Sequence, residues 1–553
     1  MESESRSLRY VLNEREYELL RRHVLRVSPK LREAGKDGSE RPSVASDSES
    51  TGRRDDHNAA AFRSASRVFV ATLGSLKALD LVLSRLPSRN TQTATRSRQP
   101  LVASKTRLAL SLSSLLFLHT VLFRVFARLR LRLLHERVRS IRERYPKVYA
   151  ALTSRIAPAI GASLSGLALG ICPADQLRVT AAIYVASRAL EIGYAAIRHT
   201  KVIANKPSWL GSWVLFALAQ GQLLHAFVFD RDCFPEAYGS FVLGYTPEYV
   251  QRRPASLSPK VVWPRPDDIL DALGQMASLR WPPFVSPILQ PNNPNTLPRG
   301  INSVISPVTS RAHPAIHKLS CALIHPSDPS CFMAYLRHNL IAFPQMAKFY
   351  TIYYAAFALL RIKDFASSPL ASANRLSESI LRSTMAISGS IGAAWGSICL
   401  FQTIFPRSFL PKFRFFLGGL LAGLFQLVDR TPAGHMNALY AARTSVNSLW
   451  KVGVKHGWWR GIRGGDVWLF VASLALVNVV YDLGKNTAAT QDGALKLIKV
   501  LRGEVELGLQ KRQKGNGGDG GNGEKQATMS ATLSEGTMTE EGLDGEYVVP
   551  EDA

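Results

Sequence analysis

Histidine and cysteine recur at four-residue intervals in one short stretch of this chain: His313, His317, Cys321 and His325, with Cys331 following. On a helix that spacing lines soft ligands along one side, and imidazole together with thiolate suits zinc. The ligand set nominated is His317, Cys321, His325 and Cys331. Pro314 and Pro326 bracket the run and hold it to a few turns. A Cys321–Cys331 disulfide and plain unlinked packing are the competing readings, and no cofactor other than zinc is expected. The five cysteines (Cys172, Cys233, Cys321, Cys331, Cys399) are too few and too scattered for a disulfide framework.

A second chemical candidate is charge inside an apolar segment. Arg188 and Glu191 stand three residues apart in the block Val179–Ile197. Charges at membrane depth are costly, and they pair, face a cavity or mark a pathway. Arg443 and Asn447 occupy a similar segment later in the chain. The four residues form a candidate polar seam, either a structural ion pair or a substrate or ion path. Catalysis has no comparable candidate. There is no Gly-x-Ser-x-Gly elbow, His-Glu-x-x-His, Walker loop or dinucleotide fingerprint. His325-Pro-Ser-Asp328 is too short for a known catalytic constellation. The expectation is a non-enzymatic protein.

The elements that must position these residues are apolar blocks: Leu108–Phe123, Ile156–Cys172, Val179–Ile197, Trp209–Phe229, Ser383–Phe405, Phe415–Val428, Ala433–Val454 and Val467–Tyr481. Each approaches the length needed to cross a bilayer core as a helix, roughly 17–25 residues. A soluble protein would put polar faces on most such helices, and they are missing. The predicted class is therefore all-α: a polytopic helical membrane protein.

The blocks recur in order. Gly161-Ala-Ser-Leu-Ser-Gly166 matches Gly418-Gly-Leu-Leu-Ala-Gly423, and Ala182-Ile-Tyr184 matches Ala438-Leu-Tyr440. Ile197-Arg198-His199 matches Val454-Lys455-His456, and Asp230 falls opposite Asp482. This predicts two repeated four-helix units, each preceded by an amphipathic or re-entrant helix (61–86 and 344–360). Repeated halves are common among transporters, whose sites lie at the repeat interface. Gly166-x-x-x-Gly170, Gly392-x-x-x-Gly396 and Gly419-x-x-x-Gly423 are small-residue motifs that let membrane helices approach closely. They are expected to pack the bundle and to be available for oligomers or other membrane-protein partners.

The predicted domains are 1–60, a disordered or amphipathic N-terminal region, and 61–230, the first membrane repeat. An irregular Pro-rich loop at 231–312 leads to a Cys/His element with an amphipathic helix at 313–361. The second repeat is 362–484, and a C-terminal helix with an acidic Gly-rich tail fills 485–553. No secretory signal or mitochondrial transit peptide is expected at the N-terminus, and the final Glu-Asp-Ala is no peroxisomal address.

The formal charge of +26 first suggests nucleic acid or an anionic membrane as partner. Residues 1–60 net zero and 511–553 net −5, so 61–510 carries +31. Residues 124–155 hold 10 basic side chains against Glu136 and Glu143. Within them Arg124, Arg128, Arg130 and Arg132 alternate with apolar residues directly after an apolar span. That pattern fits a juxtamembrane helix on anionic head groups, with the basic loop facing the cytosol or its equivalent. No soluble basic domain suggests nucleic-acid binding.

The segment Cys321…His325-Pro-Ser-Asp-Pro-Ser-Cys331, running into Ala347-Lys-Phe-Tyr-Thr-Ile-Tyr-Tyr-Ala-Ala-Phe-Ala-Leu-Leu-Arg361, resembles the transmembrane protein 135 family. That family is itself distantly similar to the inner-membrane protein translocase channel family. Leu177-Arg-Val-Thr-Ala-Ala-Ile-Tyr184, Leu190-Glu191 and Leu417–Tyr440 extend the likeness over most of 61–510. Two departures stand out: Asp328-Pro329 interrupts the family's His-Pro-Ser-Cys string, and the element sits mid-chain without an N-terminal copy. The resemblance implies a multi-pass protein of peroxisomes or mitochondria, tied to lipid or sterol handling and organelle dynamics.

Overall fold

The computed structural model describes residues 49–85, 101–134, 139–173, 176–199, 211–289 (save 247, 256 and 259), 297–360, 362–483, 498 and 501–502. The amphipathic N-terminal segment, the loop 200–210 and the acidic tail expected from the sequence lie outside the described residues. Among those described, the fold is helical, and the sole strand-like pairing is an isolated bridge between Pro283 and Lys318.

Helix α1 (Glu49–Arg85) packs along α2 (Leu101–Leu133), and two short helices follow, α3 (Arg139–Arg144) and α4 (Pro146–Thr153). Next comes α5 (Ala157–Ser163), which continues as a 3-10 segment, Leu164–Ile171. Helices α6 (Gln176–His199) and α7 (Ser212–Phe229) complete this run. The middle of the chain holds α8 (Glu236–Gly244), α9 (Pro266–Ser278), α10 (Ser306–Thr309) and α11 (Leu319–Ile324). Helix α12 (Cys331–Leu360), with Pro344 inside it, and α13 (Ile362–Ser367) lead to α14 (Pro369–Ile404). Next come α15 (Arg414–Gly423) with a 3-10 segment Leu424–Leu427, α16 (Pro432–Lys455) and α17 (Gly465–Leu483).

Four helical stretches are long and apolar enough to cross a bilayer: Lys105–Leu133 of α2, α7, α14 and α17. The 33 residues of α2 span about 50 Å against a hydrocarbon core of about 30 Å. Its arginine-rich end therefore projects past any core that its apolar part occupies. The other four sequence blocks do not all become long straight helices. Ile156–Cys172 and Phe415–Val428 turn into short α-helix plus 3-10 helix, and α4 with Ala157–Ile171 is bent by 85°. Glycines and small residues at these breaks weaken helix propensity and admit close neighbours instead.

Two helices cross over. Helix α7 packs on α15 and α16 rather than only on the elements preceding it, and α17 packs back on α5, its 3-10 segment and α6. Gly166, Gly419 and Gly423 of the small-residue motifs sit at these crossings. A Cβ added to Gly419 would lie 2.2 Å from the Gln220 carbonyl oxygen, and one on Gly423 would lie 2.2 Å from Ala217 Cα. Gly166 faces Val471 and Phe470 of α17, with the nearest atoms 3.0 Å from such a Cβ. Gly392 and Gly396 bring α14 against Asn339 and Tyr335 of α12, while Gly170 has open space, its nearest neighbour being Val467 at 4.0 Å. Each crossing helix ends in an aspartate held by a cation. Asp230 lies 3.0 Å from both Lys455 Nζ and His456 Nε2, and Asp482 lies 2.5 Å from Arg502 Nη1.

The segment 231–312, expected to be an irregular loop, contributes much of the largest core. Phe234, Tyr249, Trp281, Phe284 and Ile305 are buried there, with Ile269, Leu270, Leu273 and Met276 of α9. Those α9 positions repeat at i, i+1, i+4 and i+7, the pattern of one helix face. Flanking Pro and Asn residues hide the pattern because α9 has only 13 residues. Of the two ambiguous segments, 61–86 is described to residue 85 and forms the end of α1, and 344–360 forms the end of α12.

Candidate functional site

Two features concentrate chemistry: a Cys/His cluster that joins α11, α12 and α14, and an apolar chamber.

The cluster is built by local chain geometry. Helix α11 is six residues long, and Pro326 drives the preceding His325 out of helical conformation, at φ −139° and ψ 64°. The turn that follows is closed by the Asp328 amide bonding to His325 O and the Ser330 amide bonding to Asp328 Oδ1, at 3.2 and 2.9 Å. It delivers Cys331 to the first position of α12. Cys321 Sγ lies 3.7 Å from Cys331 Sγ and 3.7 Å from Cys399 Sγ, and His325 Nε2 lies 3.5 Å from Cys399 Sγ. All four ligand atoms fall within 4.8 Å of one another. His325 Nδ1 lies 2.7 Å from the Asp328 carbonyl oxygen, so Nδ1–H donates to that carbonyl and Nε2 faces the sulfurs. Cys321, His325 and Cys399 are buried, and Cys331 is partly so.

Electrostatics favour a charged cluster. Burial works to lower the His325 pKa, yet hydrogen bonds with Cys321 and Cys331 outweigh it and push the imidazole up to about 10. The Cys331 thiol is driven far down by hydrogen bonds from Cys321 and Cys399, then His325, which favours its thiolate form. All five cysteines are free, and 3.7 Å is far beyond a disulfide bond of about 2.05 Å.

Three of the four ligands expected from the spacing, Cys321, His325 and Cys331, come together, and His317 does not join them. His317 is exposed and outside the cluster, and its backbone carbonyl accepts the Phe284 amide instead. The four-residue periodicity does not act through a helix, because residues 313–317 form turns around Pro314 and α11 begins only at Leu319. Cys399, on a helix 68 positions after Cys331, takes the fourth place. Nothing in its local spacing signals this role; a cysteine in an apolar helix reads as packing. The Asp328-Pro329 interruption is what builds the turn. A Cys3His cluster of this kind could bind zinc.

The chamber, about 370 Å³, lies between α7, α8, α12, α14 and α16. Its walls include Phe216 and Leu223 of α7, Tyr238 of α8, Tyr350 of α12, Ile391 of α14 and Tyr440 of α16. None of its lining residues is charged. Gln220 Nε2 donates to Tyr238 Oη at 2.6 Å, giving the apolar space a polar corner. Burial pushes the Tyr238 phenol up to about 12, so it stays neutral. The volume falls in the range of small-molecule sites, roughly 300–1,000 Å³.

The polar seam lies where α6 meets α16. Arg188 Nη1 bonds Glu191 Oε2 at 2.5 Å, and His435 Nε2 lies 3.7 Å from Glu191 Oε1. Arg443 donates through Nε to Ser187 Oγ at 2.6 Å and stacks over the Tyr184 ring at 4.5 Å. Asn447 is buried on the same helix. Of the four arginines at the end of α2, Arg128 and Arg132 are exposed, while Arg130 Nε donates to the Thr153 carbonyl. Arg124 is partly buried.

No protein-family model and no solved structure matches the chain.

Proposed function

We propose that this chain is a multi-pass, non-enzymatic membrane protein of peroxisomes or mitochondria that takes up the apolar part of a lipid or sterol in the chamber. The observation that carries this reading is the uncharged, aromatic-lined chamber, two of whose walls, α7 and α14, are themselves apolar enough to lie in a bilayer. A hydrocarbon ligand entering from the membrane meets mostly apolar surface, with Gln220 and Tyr238 left to face a polar head. Membrane residence is supported by outward-facing apolar side chains: Leu190 (67%), Leu340 (67%) and Ile352 (64%) are among the most exposed residues. The resemblance to the transmembrane protein 135 family supplies the organelle and the lipid class. Internal duplication is supported by the recurring element order and by the reciprocal packing of α7 and α17. The exposed Arg128 and Arg132 fit contact with anionic head groups.

The test fills the chamber. Ala394→Trp on α14 adds an indole to the chamber wall. Full-length protein in nanodiscs should lose at least about tenfold in lipid affinity. Its thermal unfolding midpoint should stay near that of the parent. Unchanged lipid binding by the filled variant would remove the proposal.

A second reading, a transport path along the seam, is favoured by the convergence of Arg188, Glu191 and Arg443 between two helices of the bundle. Arg443→Met with Glu191→Gln should then abolish flux in proteoliposomes while leaving Ala394→Trp-sensitive lipid binding intact. Flux that survives both substitutions assigns the seam to packing.

A further inference from the structure

We infer that Cys321, His325, Cys331 and Cys399 hold one zinc ion as a closed structural site, which latches the middle of the chain onto α12 and α14. With zinc–sulfur bonds of about 2.3 Å and zinc–nitrogen bonds of about 2.05 Å, a tetrahedron has S···S edges of about 3.8 Å and S···N edges of about 3.6 Å. The separations from Cys321 to Cys331 and to Cys399 are both 3.7 Å, and from Cys399 to His325 Nε2 it is 3.5 Å. Sulfurs in van der Waals contact also sit about that far apart, so the weight falls on the convergence of all four donor atoms within 4.8 Å of one another, which leaves them around one centre.

The donor set agrees. Three soft sulfurs and one imidazole select zinc over the hard cations, and tetrahedral S/N geometry suits its filled d shell. The bond from His325 Nδ1 to Asp328 O fixes the tautomer that presents Nε2, the outer-shell arrangement that metal-binding histidines use. Binding displaces the remaining thiol protons and the imidazolium proton, which leave to solvent, so three thiolates and one neutral imidazole surround the ion. With four protein ligands, no position remains for water or substrate, which makes the site structural rather than catalytic.

The latch has an evident purpose. Helix α11 is a single six-residue turn system, too short to hold itself. Its ligands tie it to the start of α12 and to position 399 of α14, a helix nominated as a membrane span. The same core cluster contains Cys321, Cys399, Trp395 and Tyr249, so the ion would sit where the middle region meets the bundle.

Elemental analysis of the full chain, purified in detergent without chelator, should find one zinc per chain. His317→Ala should retain that zinc in full, whereas Cys399→Ser should cut it at least tenfold. Because Cys399→Ser is buried and the variant can fail to fold, a second measurement uses the unaltered protein. Chelation should release zinc together with new thiol reactivity at Cys321, Cys331 and Cys399, and hydrogen exchange should rise across 313–331. Cobalt replacing zinc should give a tetrahedral, thiolate-rich spectrum. The inference is overturned by protein that carries no metal and takes up none when offered zinc. It is equally overturned by stoichiometric iron, by a Cys321–Cys331 disulfide, or by zinc lost from His317→Ala and kept by Cys399→Ser.

Discussion

Replacing Asp482 with Leu while leaving Arg502 in place should destabilise the protein by roughly 3–5 kcal/mol, the cost of stranding a buried charge. The Arg502 side chain is fully buried, with its guanidinium lying between the rings of Phe123 and Tyr481, at 4.3 and 4.6 Å from their centroids. Its second nitrogen reaches Asn478 Oδ1 at 3.2 Å, and Asn478 in turn bonds Ser163 at 3.0 Å and meets His119. The neighbouring Leu501 carbonyl accepts from Thr120 at 2.7 Å. Residues 501–502 therefore close a polar network between α2, α5 and α17, and Asp482 supplies its compensating charge. The double variant Asp482→Leu, Arg502→Met removes both charges and should recover most of the loss, since an apolar pair of similar volume costs little. Thermal unfolding of the full chain in detergent measures both. A double variant no more stable than the single one would show that shape, not charge, holds this end.

The second large effect concerns the crossing of α7 over α15. Gly419→Ala and Gly423→Ala should each cost about 3 kcal/mol, the upper end for overpacking. The new methyl would meet backbone atoms, Gln220 O and Ala217 Cα, both at 2.2 Å, and no rotamer change can clear them. The same substitution at Gly170 should be close to neutral, because only Val467 comes within 4.0 Å. All three glycines belong to Gly-x-x-x-Gly motifs, so a motif count predicts equal losses. Measured midpoints that fall equally for Gly170→Ala and Gly423→Ala would contradict the packing described above.

What the sequence makes legible follows from the range of each signal. Long apolar blocks report on solvent, and α2, α7, α14 and α17 emerge where composition places them. Cys321, His325 and Cys331 are legible as a group because eleven residues contain them all. Cys399 is not, since its partnership depends on how α14 docks, which spacing cannot encode. His317 misleads for the converse reason: periodicity implies a helix, and Pro314 prevents one. The middle segment misleads through its composition. Pro and Asn mark irregular backbone correctly, yet Trp281, Phe284 and Tyr249 supply the bulk that buries it. The reciprocal packing of α7 and α17 is invisible in either half alone.

The central claim is that the chamber holds lipid. Photo-crosslinking with a fatty acid carrying a light-activated group on its chain, followed by peptide mapping, tests it most directly. The account predicts labels concentrated on chamber residues such as Phe349, Tyr353 and Tyr440, and their loss in Ala394→Trp. Labels spread over the outward-facing apolar residues of α6 and α12, and unchanged by Ala394→Trp, would contradict it.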